Sequence, residues 1–368
     1  MRRLATIQKI LDLKPIPNAD NILCATVQGW ELVVKKDEFK IGDLCVYIEI
    51  DSIVPDKPEF EFLRDRKFRV KTIKLRKQIS QGLALPLSIL PQGKYKEDDD
   101  VTEILGVIKY DPEGDKERAL LEQKINKSKN VFHKLFGQYN WYRKLIKRFT
   151  KRKANNFPSF ISKTDETRIQ NKPHLCEALK GKRLIVTEKL DGQSATYYLK
   201  RNKINILNKL LKKNQFEFGV CSRNIHLLHK NNSSYWTIAE QLHIEDILKG
   251  LIGNEDLIVL QGEILGEGIQ GNKYEIKGYD FYAFNLKYGD KRLGSEEASN
   301  ALNKYGIKFV PILDDNFYIK DTVSEMVEYS KGKSTLINKL REGLVIRTYE
   351  GDLSFKVINP EFLLKNNE

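Results

Sequence analysis

The 368-residue sequence predicts an α+β protein in which a small β-barrel precedes a larger domain mixing strands with helices. Three observations lead there. Short strand-like runs separated by Lys-Asp, Gly-Asp and Pro turns fill the first hundred or so residues. The pattern changes after the acidic run Glu97 to Asp100. Beyond Phe157, strand-like runs continue but alternate with stretches of helical periodicity.

In the barrel, strands are expected in ILCATVQGWELVV, DLCVYIEIDSIV, FRVKTIKL and GLALPLSIL. Several short strands at this spacing suit an OB-fold, assigned to residues 1–108. The segment before them, MRRLATIQKILDLKPIPNAD, has short apolar stretches interrupted by Pro15, Pro17 and Asp20, and reads as no signal peptide. In FRVKTIKLRKQ, Phe68, Val70 and Ile73 alternate imperfectly with Arg69, Lys71, Lys74 and Arg76. Such a basic face suits a phosphate backbone, and equally an ordinary solvated strand face.

Residues 109–156 read as a basic helical linker or insert. Tyr142, Leu145, Ile146 and Phe149 fall at helical spacing among Arg143, Lys144, Lys147 and Arg148. A linker helix packed on a domain, a nucleic-acid-contacting arm and a surface membrane helix all fit, the last least because the stretch is short. Residues 157–368 form the second domain. Its strand candidates are LIVTEKLDG, SATYYLK, FEFGVCSR, LIVLQGEI, YDFYAFNL, EGLVIRT and LSFKVI; its helix candidates are IAEQLHIEDILKGL and SEEASNALNKYG. The insert RNKINILNKLLKKNQ reads as a lysine-rich loop or short helix.

Composition narrows the function. Lysine and arginine total 63 against 50 acids, a net charge of +13, which favours a polyanionic partner such as nucleic acid. No apolar run approaches the ~20 residues that span a bilayer, so an intracellular protein without membrane contact is expected, cytoplasmic or nuclear being left open. The basic KRFTKRK run fits a nuclear address, a nucleic-acid contact or a solvated helix end. Cys24, Cys45, Cys176 and Cys221 show no C-x-x-C pair and read as packed apolar residues. With five histidines and no H-x-x-x-H pattern, any metal is expected to be a hard cation held by carboxylates and substrate phosphates.

The chemistry centres on Glu188-Lys189-Leu190-Asp191-Gly192, a K-x-D-G element after the apolar run Leu184-Ile185-Val186. A buried strand would deliver the lysine into a tight turn, where it suits attack on a nucleotide phosphate. Downstream come Cys221-Ser222-Arg223-Asn224, Gln261-Gly262-Glu263, YDFYAFNL, Glu342-Gly343-Leu344-Val345 and Ser354-Phe355-Lys356. Tyr282 and Phe284 share one face of their strand, Phe281 and Ala283 the other.

In this order the pieces KLDG at Lys189, GE at Glu263, FYAFN at Phe284, EGLV at Glu342 and FK at Lys356 resemble the covalent nucleotidyltransferases: ATP-dependent DNA ligases, RNA ligases and mRNA capping enzymes. FISKTDETRIQN, the SRN triplet, LQGEILGEGIQGNKY and FKVINPEFLLKN narrow the resemblance to RNA ligases, and GWELVVKKDEFKIGDLCVYIEIDSIVPD with KTIKLRKQISQGLALP is similar to the OB domain that precedes the catalytic domain in one RNA ligase family. The resemblance implies an adenylyltransferase (ATP-grasp-like ligase) domain of antiparallel sheets and helices. It implies a monomer that joins 3′-hydroxyl and 5′-phosphate RNA ends, possible substrates including a nicked duplex, using ATP and Mg²⁺ or Mn²⁺. Lys189 would carry AMP, with Asp191, Glu342 and Lys356 catalytic and Glu342 and Asp191 at the metal. Glu188, Glu263, Phe284, Val345, Lys356 and Arg223 would bind the nucleotide, with Glu263 on the ribose and adenine between Phe284 and Val345. Arg168 and Arg223 would bind RNA or phosphate. One departure stands out: a closing K-x-K is common in such enzymes, whereas Val357 and Ile358 follow Lys356 here. Ser194 also stands where some relatives have asparagine.

Overall fold

The computed structural model describes residues 3–111, 154–202, 215–228, 230 and 232–367. The N-terminal strands form a five-stranded antiparallel sheet in spatial order Trp30–Lys35, Ala19–Val27, Ala5–Ile16, Leu44–Ile48, Leu83–Leu85. Smaller pairings of Ser52–Ile53 with Arg69–Val70 and with Ile108–Lys109, and of Ile73–Leu75 with Gln78–Ser80, complete the OB-fold domain. Its longest strand, Ala5–Ile16, lies in the segment whose prolines suggested an interrupted start. Register shifts after Ile10 and Pro15 absorb the irregularity, and Ile7 and Ile10 are fully buried. ILCATVQGWELVV is a hairpin, turning at Gln28, whose φ of 52° is left-handed. A local apolar run cannot show such a turn.

The second domain is built on two antiparallel sheets and flanking helices. The larger runs Ala154–Asn156, Ile225–Leu227, Phe216–Cys221, Gln193–Arg201, Leu257–Gly266, Tyr279–Tyr288, Lys291–Arg292, with Lys308–Phe309 pairing in parallel beside Tyr279–Tyr288. The smaller runs Ile312–Phe317, Leu184–Lys189, Gly343–Thr348, Ser354–Ile358. Each of the seven strand candidates contains an observed strand. The helical stretch IAEQLHIEDILKGL breaks into Ser234–Gln241 and Ile244–Leu251 at His243, which is left-handed at φ 49°. Elements without an expectation include the strand Ile312–Phe317, the helix Val323–Ser330, opened by a Thr322/Glu325 capping box, and the C-terminal helix Pro360–Asn366, with proline in its first turn. Of the basic helical segment expected over residues 109–156, residues 112–153 lie outside the described residues, as does the insert at 203–214; its described ends are strands, Ile108–Lys109 in the barrel and Ala154–Asn156 on the edge of the second domain's large sheet, so that domain's sheet begins before Phe157.

The two domains share a core. Ile358, Phe362 and Leu363 of the second domain pack into the barrel's apolar cluster. At the opposite side of the contact, the Trp30 indole N–H donates to Asn171 Oδ1 at 2.6 Å and Asn171 Nδ2 donates to Glu49 Oε1 at 2.7 Å. Gly29 N donates to Gln170 O at 2.9 Å, and a Cβ on Gly29 would lie 2.8 Å from Gln170 Cα. Only glycine allows the two backbones to approach this closely. The junction is thus a packed, hydrogen-bonded seam. All four cysteines are buried and free, and burial pushes the Cys45 and Cys221 thiols up to about 12, which keeps them unreactive.

Candidate active site

A cavity of about 460 Å³ opens where the two sheets meet the barrel. All ten site residues expected from the sequence line it. The reason lies in strand register. Leu184–Lys189 pairs with Gly343–Thr348 so that Lys189 sits opposite Gly343, next to Glu342, and Val345 sits opposite Lys356 on the next strand. Gln193–Arg201 pairs with Leu257–Gly266 so that Ser194 lies opposite Glu263. The sharp turn between the two sheets is Leu190-Asp191-Gly192. A Cβ on Gly192 would lie 2.4 Å from Ile264 O and 2.8 Å from Glu263 Cγ, so the turn has no space for another side chain. Gly192 N donates to Glu263 Oε1 at 3.1 Å, which fixes that carboxylate against the turn.

Lys189 Nζ donates to Glu342 Oε1 at 2.6 Å. Burial pulls the amine's pKa down, but the charges of Glu342, Glu263 and Asp191 outweigh it and hold the amine above its ordinary value. The lysine is therefore a protonated ammonium, and the site must shed that proton before it can act as a nucleophile. Glu263 shows the reverse case. Burial is the main cause that drives its carboxyl up to about 8, against the pull of Lys189, with Glu342 and Asp191 adding to the rise.

Asp191 forms an ion pair with Lys273, and Asp191 N donates to the Tyr274 hydroxyl at 3.0 Å. Both partners come from GNKYEIKG, a segment that carried resemblance but had no expected role. On the wall opposite, Lys356 Nζ donates to Asp165 Oδ1 at 3.3 Å, and Arg223 Nη2 lies 3.3 Å from the same oxygen. Lys109 Nζ lies 3.8 Å from its other oxygen, so one carboxylate gathers three cations, as a phosphate would. Lys356 N also donates to Thr167 O at 2.8 Å, tying the TDETR segment to the last strand. Ser194 and Thr164 share a hydrogen bond of 3.1 Å, so the serine holds the same segment. Ile358, which stands where a second lysine is common, is buried in the barrel's apolar cluster.

Phe284, partly buried, and Val345, buried, both line the cavity. The alternation of Phe281 and Ala283 inward with Tyr282 and Phe284 outward holds. Glu188 is 1% exposed; its Oε2 accepts from Thr335 N and Thr335 Oγ1 at 2.9 and 2.7 Å. Its Oε1 is buried with no hydrogen-bond partner among the described residues. Arg168 is buried and donates to Asp51 Oδ2 of the barrel at 2.8 Å. Sequence reasoning missed Asp51 and Tyr110 on the cavity's barrel wall, and Arg347, while Arg69 was read as part of a basic strand face that suits a phosphate backbone or solvent equally. Arg347 is fully within the fold, and burial pushes its guanidinium down to about 10. The signal available was the EGLVIRT strand itself: a charged residue in an otherwise apolar run.

The carboxylates that could hold a metal here are Glu342 and Asp191, which line the cavity beside lysines suited to phosphate. Among the described residues no group of three or more His, Cys, Asp or Glu side chains has metal-holding geometry. That composition suits Mg²⁺ or Mn²⁺ held through one or two carboxylates plus substrate phosphates, and does not suit an all-protein cage.

Comparison with known proteins places this geometry. A family profile described as RNA ligase matches residues 182–358, and one described as an OB-fold domain matches residues 4–87. Solved structures of Naegleria gruberi RNA ligase align over nearly the whole chain. A mutant with AMP and Mn is 33% identical, covering 98% of this chain and 98% of that one, with a TM-score of 0.78. A complex with PPi is 33% identical over 99% and 98% of the two chains, TM-score 0.78. A further mutant with ATP and Mn is 34% identical over 100% and 98%, TM-score 0.78. A search of curated protein sequences found no match.

Proposed function

The chain belongs to the RNA ligase family, and from that premise we propose that it seals RNA 3′-hydroxyl and 5′-phosphate ends through AMP carried on Lys189. The observation that carries this reading is the convergence on one cavity of a strand-borne lysine, its 2.6 Å partner Glu342, the buried Glu263 and the closing Lys356. Lys189 attacks the α-phosphorus of ATP; the bond to the β-phosphate oxygen breaks and pyrophosphate leaves. A 5′-phosphate oxygen then takes AMP from the lysine, and the 3′-hydroxyl displaces AMP to form the phosphodiester. Phosphoryl transfer of this kind needs positioning and charge neutralisation above all. Lys356, Arg223 and Arg168 supply the charge, while the Glu263–Gly192 contact supports the ribose position. A metal at Glu342 and Asp191 would neutralise phosphate charge and compete with Lys189 for Glu342.

Selection of adenine has a physical basis in Glu188. Its buried, unpartnered Oε1 needs a donor. The exocyclic amine of adenine offers one, whereas guanine presents a carbonyl oxygen at the same position and would set two acceptors together. Phe284 and Val345 provide faces for the ring. The nicked-duplex substrate and the monomeric state are part of the same proposal. DNA ligation or mRNA guanylylation with the same lysine is the rival, and the Glu188 oxygen disfavours the latter.

The test is incubation with α-labelled ATP or GTP and a divalent metal, followed by separation of protein-bound label. The expected result is a covalent adenylate from ATP, absent in Lys189→Ala. No label, or preferential labelling by GTP, would refute the proposal.

A further inference from the structure

The hairpin Ile73–Leu75/Gln78–Ser80 stands apart from the barrel's main sheet as a two-stranded ribbon. Leu75 pairs with Gln78, so Arg76 and Lys77 alone form the loop. Both are left-handed, at φ 47° and 70°. A two-residue loop of this kind follows the twist of its strands and needs positive φ at both positions, which Asn-Gly or Asp-Gly supplies with little strain. Arginine and lysine bring Cβ clashes to that backbone, so this turn costs stability that an easier loop would keep. What the two residues contribute instead is positive charge at an exposed tip.

Lys74, Arg76 and Lys77 are all exposed, and no carboxylate pairs with any of them among the described residues. Glu31, a carboxylate at the base of the hairpin, accepts from Gln78 Nε2 at 3.2 Å. The ribbon is firmly rooted. Val33 N donates to Ser80 Oγ at 3.0 Å, Gln81 N to Glu31 O at 2.9 Å, and Gln81 Nε2 to Thr72 Oγ1 at 3.3 Å. Lys71, just before the first strand, donates to Asn367 Oδ1 at the end of the C-terminal helix. Asn367 lines the rim of the cavity, so the root of the ribbon is fixed to the catalytic domain and its charged tip points away from a set place.

We propose that this hairpin is a clamp on the RNA backbone: Arg76 and Lys77, with Lys74, bind phosphates of the duplex flanking the break, outside the cavity and away from the reacting ends. The inference rests on the ligase reading and extends it to a second surface. No aromatic residue lies on the ribbon, so it offers charge and no platform for an unpaired base. Six residues of chain separate Val70, next to the cavity-lining Arg69, from Arg76. At roughly 3.3 Å per extended residue the tip lies at most about 20 Å from the cavity wall. Backbone charges recur about every 3.4 Å of duplex axis along one strand, so the tip reaches phosphates up to about six nucleotides from the junction. Contacts of this kind position a duplex without reading its sequence, which suits an enzyme that must hold two ends whatever bases they carry.

The test uses the full-length protein with Arg76→Asn and Lys77→Gly combined, which installs the favoured loop and removes two charges. Lys40→Ala, which removes an exposed charge elsewhere on the barrel, is the control and should match wild type throughout. Melting temperature, adenylate formation from ATP, nick sealing, and Kd for nicked RNA duplex across a salt series are measured. The duplexes have arms either longer or shorter than the reach of the tip. The double variant is expected to melt at or above the wild-type temperature, because the loop strain is relieved. It should bind the long-armed duplex about tenfold or more weaker, with the slope of log Kd against log salt shallower by about one to two. Sealing at sub-saturating long-armed RNA should fall to match, while adenylate formation stays within about twofold. On short-armed duplex, variant and wild type should bind alike. Unchanged affinity and salt slope on the long-armed duplex would overturn the proposal, since the tip would then face some other partner or solvent. An equal loss on both arm lengths, or an equal loss of adenylate formation, would overturn it too, because the effect would then arise in the fold or the cavity. Wild-type protein that binds duplex through the tip but forms no adenylate would instead mean that the ligase reading has failed and the contact stands.

Discussion

Glu342→Gln isolates what keeps the nucleophile silent before substrate arrives. The substitution keeps the side-chain shape but removes the charge 2.6 Å from Lys189 Nζ. Hydrogen bonds to charged groups contribute about 1.5–3 kcal/mol. Loss of that preference for the ammonium lowers the Lys189 pKa. The sign follows from the direction of the native shift. A lysine raised above its ordinary 10.5 contributes its ion-pair stability in full below that pH and loses it as the pH climbs through the folded value. At pH 7 to 8 the substitution therefore removes the whole contribution. The assay is trace acetylation of the protein, without ATP or metal, across a pH series, with Lys189 followed by peptide mass spectrometry. Wild-type Lys189 should acylate at higher pH than the substituted protein, and in adenylate formation the acid limb of the pH–rate profile should move down similarly. The maximal rate should nevertheless fall about a hundredfold or more if Glu342 also serves the metal. Identical titration of Lys189 in the two proteins would refute the reasoning, because the ion pair would then not be what holds the proton.

Three further outcomes follow from named contacts. Glu263→Gln should stabilise the apo protein progressively as pH rises from about 4.5 to 8: a carboxyl held up to about 8 favours folding when protonated and loses that advantage across this interval. Differential scanning calorimetry at pH 5 and pH 8 checks it, and an equal Tm difference at both would count against it. Glu188→Gln, which can present an amide donor to guanine, should narrow the ATP-over-GTP preference in adenylate formation about tenfold or more, read from kcat/KM for each nucleotide. Gly29→Ala should loosen the domain seam, because its Cβ would meet Gln170 Cα at 2.8 Å; the expected sign is a lower Tm together with faster hydrogen exchange at Gly29, Gln170 and Asn171.

The catalytic domain was legible because its chemistry sits on strands. A strand fixes register, so Lys189 opposite Gly343 and Val345 opposite Lys356 follow from pairing once the order of motifs is known. The residues without an assigned role reach the site differently. Lys273 and Tyr274 arrive on a loop that folds over Asp191, and loop geometry leaves no periodicity in the sequence. Arg69 lies in a basic strand that fits solvent as well as ligand, and only the distant Tyr110 and Asp51 distinguish the two. Ile358 is the clearest example of the limit. In the sequence it is a missing lysine; in the fold it is an apolar anchor that packs with Phe362 and Leu363 into the barrel. The position that many relatives give to a cation is here given to the seam, and that same seam brings Arg69 and Arg168 to the cavity. Loss of one cation and arrival of another are thus two effects of a single packing choice, which ties the barrel to the phosphate end of the site.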